Sequence, residues 1–167
     1  MKTKTPPKDI DAGPHTLFDL RQRPRRLRQS AGIRALVRET RLSPDSFLYP
    51  LFVCGGKGQR REVPSMPGVF QLSVDQVVAE AAAAHAEGVP GVLLFGLPDD
   101  KDSIGSSAYD PEGPVQSAIR ALKSEVPSLI VVTDVCLCEY TSHGHCGIVV
   151  GDEIVNDPSV EIGRAHV

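Results

Sequence analysis

Apolar residues along the 167-residue chain fall into three short solid runs separated by two stretches of helical period. "FLYPLFV" (47–53) is the first run, β-rich and predicted to form a strand, although Pro50 weakens it. Ser73 then opens "SVDQVVAEAAAAHAEG", where Val74, Val77, Val78 and Ala81 keep one helical face and Gly88 stands where a helix stops. "GVLLFG" (91–96) is the second run. The polar loop "LPDDKDSIGSSAYDPEG" (97–113) leads to "PVQSAIRALKSEV", a helix with Pro114 in its first turn and Val115, Ile119 and Leu122 on its apolar side. "SLIVVTDV" (128–135) is the third run. Upstream, Ser30 caps a short predicted helix with Ile33, Leu36 and Val37 on one face.

The order strand, helix, strand, helix, strand, with solid rather than alternating apolar strands, predicts a parallel sheet wrapped by helices and buried on both faces. Right-handed crossovers suit either a doubly wound sheet or a (β/α)8 barrel. In both, chemistry collects at the carboxyl ends of the strands. "DVCLCEYTSHGHCG" (134–147) follows the third strand at that end, and it holds three of the four cysteines and two histidines.

The spacing of these cysteines is C-x-C-x7-C, and the glycines of "HGHCG" permit the bend that returns Cys146 towards Cys136 and Cys138. Three soft sulfurs suit Zn2+, and three ligands leave a fourth position for substrate or water unless His143 or His145 fills it. The bland alternative is a reduced loop whose thiols fill space, with the histidines as loop hydrogen-bonders. Cys54, alone on a strand, reads as a small buried apolar residue.

Composition narrows the classes of function. Aromatic content of 5% with no Trp argues against a nucleic-acid surface built on stacking. No apolar run approaches the roughly 20 residues that span a bilayer, and "MKTKTPPKDIDAGPH" lacks the apolar core of a secretory signal, so a cytoplasmic location is expected. Cysteines in that compartment are metal ligands or free thiols rather than disulfides. The net charge of −3 is unevenly spread: residues 1–60 carry 13 Lys/Arg against 5 Asp/Glu, and residues 61–167 carry 5 against 16. "RQRPRRLR" (21–28) is either a solvated linker or an arm that docks on an acidic surface, its own or another copy's. Residues 1–29 are expected to form a mobile basic arm.

"RPRRLR", "LVRETRLSPDSFLYPLFV", "VPSMPGV", "SSAYDPEGPVQSAIRALK", "VVTDVCLCEYTSHGHCG" and "NDPSVE" occur in order between Arg23 and Glu161. Together they resemble porphobilinogen synthase, also called delta-aminolevulinic acid dehydratase, and "DVCLCEYTSHGHCG" is similar to that family's zinc-dependent branch. The resemblance implies α/β architecture, the amino-terminal portion of a (β/α)8 barrel behind an extended N-terminal arm, with the catalytic domain beginning at residue 30. It implies a homo-octamer whose arms embrace neighbours, and condensation of two 5-aminolevulinate molecules to porphobilinogen with loss of water, in tetrapyrrole and haem synthesis. By position, Cys136, Cys138 and Cys146 correspond to the zinc ligands, Asp134 to an active-site aspartate, and Ser142 and His145 to positions around the site.

Two features depart from that pattern. The family's Schiff-base lysines lie beyond the cysteine loop, whereas all six lysines here (Lys2, Lys4, Lys8, Lys57, Lys101 and Lys123) precede it. A (β/α)8 barrel typically takes about 250 residues. The chain therefore reads as an amino-terminal portion, inactive by itself, with a non-catalytic zinc-binding remnant that joins full-length subunits as the alternative. "IGRAHV" (162–167), with Glu161, can be written GAG ATC GGA AGA GCA CAC GTC, a common sequencing-library adapter. A foreign tail without helical continuation is expected there. A flavodoxin-like binding domain fits the element order too, but no glycine-rich phosphate loop follows any strand, and "GGKG" (55–58) lacks the Walker spacing.

Overall fold

The structure, a computed structural model, describes residues 24–164, so the expectations for residues 1–23 and 165–167 lie outside the described residues. The chain divides into two compact units, Met1–Arg41 and Leu42–Val167. In the first, a 3-10 turn over Pro24–Arg28 precedes helix α1 (Ala31–Leu36). Ser30 caps α1 as expected, its hydroxyl accepting the Ile33 N–H at 3.1 Å. This satisfies one of the donors that a helix start leaves orphaned.

The second unit is built on a five-stranded sheet in the order β2-β3-β1-β4-β5. Strands β1 (Leu48–Cys54), β4 (Gly91–Leu97) and β5 (Ile130–Thr133) are parallel neighbours and correspond to the three apolar runs. Helices α2 (Val74–Ala86) and α3 (Pro114–Glu125) make the crossovers. Gly88 ends α2 with φ +92°, the left-handed conformation that favours glycine. Pro50 is tolerated because β3 (Phe70–Ser73) joins β1 only at Phe52–Cys54. At Pro50, β1 has a neighbour on one side only, an edge position of the kind where proline is found in sheets.

Both helices lie on one face of the sheet. Leu51, Val53, Val92 and Leu94 from the strands meet Val77, Ala81, Val115, Ala118 and Leu122 from the helices in one buried core. The other face carries Leu48, Phe52, Phe95, Ile130 and Val132; the Phe52 and Phe95 rings lie 5.5 Å apart, and Ile130 is 54% exposed. The expectation of strands buried on both faces is thus corrected: among the described residues only the helix side is covered. A helix layer on one side and an apolar strand face on the other is the wall of a barrel, not a doubly wound sheet.

Three features were not anticipated from the sequence. Strand β2 (Arg60–Glu62) pairs antiparallel with β3, and its exposed, charged residues carry no apolar pattern. Arg60 lies 4.0 Å above the Phe70 ring and donates to Glu80 on α2 at 2.9 Å. A hairpin follows the cysteine loop, β6 (Ile148–Val150) with β7 (Glu153–Val155), turning at Gly151 with φ +63°. Helix α4 (Asn156–Arg164) comes last. The expected absence of helix beyond Glu161 is corrected as far as Arg164: α4 runs through, and Ile162 packs against a buried cluster of Ala108, Leu137 and Tyr140.

Candidate metal centre

Asp134 continues the ladder beyond β5, its N–H donating to the Leu94 carbonyl at 3.0 Å. The chain then curls. The Cys136 N–H donates to Asp134 Oδ1 at 3.2 Å, and the Tyr140 and Thr141 N–H groups both donate to the Leu137 carbonyl. Leu137 and Tyr140 are buried with Ala108, so residue 137 turns inward while its neighbours Cys136 and Cys138 share the opposite side.

A second turn brings back Cys146. Gly144 has φ +74° and donates its N–H to the Thr141 carbonyl, while the buried Thr141 hydroxyl donates to the His145 carbonyl at 2.8 Å. Gly147 then passes under α4 and β7: a Cβ there would lie 2.6 Å from Ile154 Cγ2 and 2.7 Å from Ser159 Oγ. Among the described residues, the three sulfurs of Cys136, Cys138 and Cys146 form a group able to hold a metal ion, with all ligand atoms within 4.8 Å of one another. Cys136 Sγ is 3.2 Å from Cys138 Sγ and 2.9 Å from Cys146 Sγ. Tetrahedral Zn–S bonds of about 2.3 Å set sulfurs about 3.8 Å apart, so Cys138 and Cys146 would each move out from Cys136 by less than about 1 Å to hold the ion. The donor set fits a soft cation.

The protons in the group are shared. Burial raises the Cys136 thiol, yet hydrogen bonds from Cys146 and Cys138 outweigh it and hold the group below the ordinary thiol value. Cys138 is pushed up to about 12, first by its hydrogen bond to Cys136 and then by burial. Cys146 is raised, chiefly by its own hydrogen bond to Cys136. Cys136 thus holds its proton less tightly than either of its two neighbours. Glu139, half-buried, is pushed up to about 7 by burial and by the Asp134 charge. An open cavity of about 600 Å3 beside the sulfurs is lined by Asp134, Cys136, Cys146, Asn156 and Ser159, among others.

Asp134 and the three cysteines are brought together as the sequence predicts. Ser142 and His145 lie on the same loop but are exposed and enter the framework through their backbones: the Ser142 N–H donates to the Asp102 carbonyl at 2.8 Å, and the His145 N–H to His143 Nδ1 at 3.1 Å. His143 Nε2 lies 3.2 Å from the Ser103 carbonyl. Cys54 is buried and apart from the group, as expected. Sequence reasoning missed Thr141 and Asp102. The signal for Asp102 was its place in the loop after β4, at the functional end of the sheet, followed by the turn-forming "SIGS".

Fold and site together define the class: part of a (β/α)8 barrel with a three-thiol cluster able to hold a metal ion at its strand carboxyl ends. The sequence profile of delta-aminolevulinic acid dehydratase matches residues 21–166. The chain is 52% identical over 141 residues to the delta-aminolevulinic acid dehydratase of Halalkalibacterium halodurans, covering 84% of this chain and 43% of that protein. It is 52% identical over 143 residues to that of Methanothermobacter thermautotrophicus, covering 84% and 44%. It superposes with a TM-score of 0.82 and 36% identity on the crystal structure of the Toxoplasma gondii delta-aminolevulinic acid dehydratase (porphobilinogen synthase) in complex with the reaction product porphobilinogen, over 88% of this chain and 43% of that one. The chain belongs to the delta-aminolevulinic acid dehydratase family, and it spans less than half the length of these relatives.

Proposed function

We propose that the chain is the amino-terminal part of a zinc-dependent porphobilinogen synthase, which condenses two 5-aminolevulinate molecules to porphobilinogen with loss of water. The observation that carries this reading is the three-thiol group at the carboxyl end of β5, beside Asp134. Zinc bound there supplies a modest Lewis acid, because three thiolates leave a formal charge of −1, suited to orienting a substrate amine or carbonyl. Cys136, Cys138 and Cys146 would hold it and give up their remaining protons on binding. Asp134 faces the same cavity, where its carboxylate can accept a hydrogen bond from an ammonium or hydroxyl group of the substrate. Ser142 and His145 hold the return turn through their backbones rather than touching the reacting atoms.

Three further parts belong to the proposal: assembly as a homo-oligomer through the basic arm, a cytoplasmic location, and Schiff-base lysines supplied outside the 167 residues. No helix among the described residues is long and apolar enough to cross a membrane. The reading of residues 162–167 as adapter-encoded is tested by sequencing the gene past the codon for Val160.

The test of function uses the uninterrupted reading frame, with and without Cys136→Ala, Cys138→Ala and Cys146→Ala together. Zinc content and porphobilinogen formation from 5-aminolevulinate are both expected to vanish in the triple variant. Undiminished turnover without zinc would sink the assignment.

A further inference from the structure

The loop after β4 is stitched to the cysteine loop by one side chain. Asp102 Oδ1 accepts the Ile104 N–H at 3.0 Å and the Ser106 N–H at 2.9 Å, and Oδ2 accepts the Ser106 hydroxyl. These contacts bend residues 102–106 into a closed turn. The buried Gly105, at φ +63°, brings that turn against the cysteine loop: a Cβ there would lie 3.5 Å from both Thr141 Cγ2 and Tyr140 Cβ. The turn aims two carbonyls outward. That of Asp102 takes the Ser142 N–H at 2.8 Å, and that of Ser103 meets His143 Nε2 at 3.2 Å. Asp102 and Thr141 also form an isolated parallel bridge. Thr141 in turn holds the carbonyl of His145, next to Cys146.

We propose that Asp102 is a positioning residue for the three-thiol loop: its carboxylate shapes the 102–106 turn, whose carbonyls fix residues 141–145 and thereby the distance of Cys146 from Cys136 and Cys138. The proposal rests on the metal reading of that loop. The spacing C-x-C sets two sulfurs side by side by local geometry alone, whereas the third arrives over a seven-residue excursion. Most of that excursion is exposed, Ser142 to Cys146 throughout, and its side chains add only the contact of the His143 and His145 rings and that of Cys146 with Cys136. An excursion of that kind needs an external template, and the Asp102 turn is the neighbouring segment that bonds it. The operative property is the acceptor geometry of the carboxylate, not its charge, since every partner is a neutral N–H or O–H.

The test compares the full chain with D102A, D102N and S106A. Zinc affinity is read by competition with a chromophoric chelator, geometry by the thiolate–Co2+ charge-transfer absorption, and loop order by amide hydrogen exchange in the metal-free chain. Loss of outer partners of metal ligands typically weakens binding by about 10- to 100-fold. D102A is expected to fall in that range, with an altered cobalt spectrum and faster exchange confined to residues 136–147. D102N keeps the Oδ1 acceptor and can reverse the Ser106 contact, so it should bind within about three-fold of the parent. Parental affinity and exchange in D102A would overturn the proposal, as would D102N being as damaging as D102A. If the parent chain takes up neither ion, the metal reading fails, and the exchange data still decide whether Asp102 orders the loop. If D102A does not fold, S106A decides instead: faster exchange in the loop supports the proposal, and unchanged exchange overturns it.

Discussion

Gly96 lies on β4 directly beneath the cysteine loop, and replacing it with alanine probes how tightly that loop is wedged. A Cβ at this position would stand 1.8 Å from Tyr140 Oη, 2.8 Å from Tyr140 Cζ and 2.8 Å from Val115 Cγ2. Ordinary contacts of this kind are about 3.5 Å, so the phenol must retreat by roughly 1.7 Å. It has no room to do so, because Tyr140 and Val115 are 2% and 1% exposed. Overpacking of a tight core costs about 1–3 kcal/mol, and expelling the ring forfeits aromatic burial worth about 3–5 kcal/mol. The cheaper route sets an expectation of about 3 kcal/mol for Gly96→Ala. At about 2–4 °C per kcal/mol for a chain of this size, the melting temperature should fall by roughly 6–12 °C. Metal affinity should fall with it, because the Tyr140 N–H closes the turn at Leu137 between Cys136 and Cys138. Tyr140→Phe deletes the clashing oxygen and leaves Cζ and Val115 Cγ2, both at 2.8 Å, as the nearest atoms. The double variant should therefore recover part of the loss, with a coupling of at least about 1 kcal/mol in a thermal-melt cycle. A Gly96→Ala chain melting within 2 °C of the parent, or strictly additive variants, would refute the wedge.

Glu80 accepts from Arg60 and Tyr49, each at 2.9 Å, and the Arg60 hydrogen bond outweighs burial to hold its carboxyl below the usual range. A depressed carboxyl contributes stability above its unfolded value and loses it as pH falls through the folded one. The urea midpoint should thus decline on acidification below about pH 5, and Glu80→Gln should flatten that decline; an unchanged acid limb in the variant would contradict the assignment. Gly147→Ala should loosen the return of Cys146, since its Cβ would press on Ile154 and Ser159. Faster alkylation of Cys146 with iodoacetamide, at unchanged Cys54 reactivity, is the expected result, and equal rates would count against it.

The frame of the barrel wall was legible because its elements satisfy local rules at once. Val74, Val77, Val78 and Ala81 share a period, Gly88 has the conformation that stops a helix, and the three apolar runs became β1, β4 and β5 with ends within two residues of expectation at most positions. What stayed hidden depends on partners that sequence spacing does not reveal. The β2 residues "RRE" are all exposed, and they form a strand through pairing with β3 and through Arg60 lying over Phe70. The hairpin at Gly151-Asp152 did carry a two-residue turn signal, obscured by the short apolar stretches on either side. At the site, the grouping of Cys136, Cys138 and Cys146 was readable from C-x-C-x7-C, but the template for its third member was not. Asp102 works through backbone carbonyls contributed 40 residues away, and no spacing rule links those two loops.

The cysteine loop is self-sufficient in its ligands. Its three sulfurs, the Asp134 cap and the Asp102 turn are all supplied between residues 102 and 146, over a wall made by β4 and β5. A polypeptide emerging from the ribosome at about 5–20 residues per second presents all three thiols, with the Asp102 turn, before the rest of a barrel is made. In the proposed reading, metal capture and closure of the barrel are therefore separable events in time.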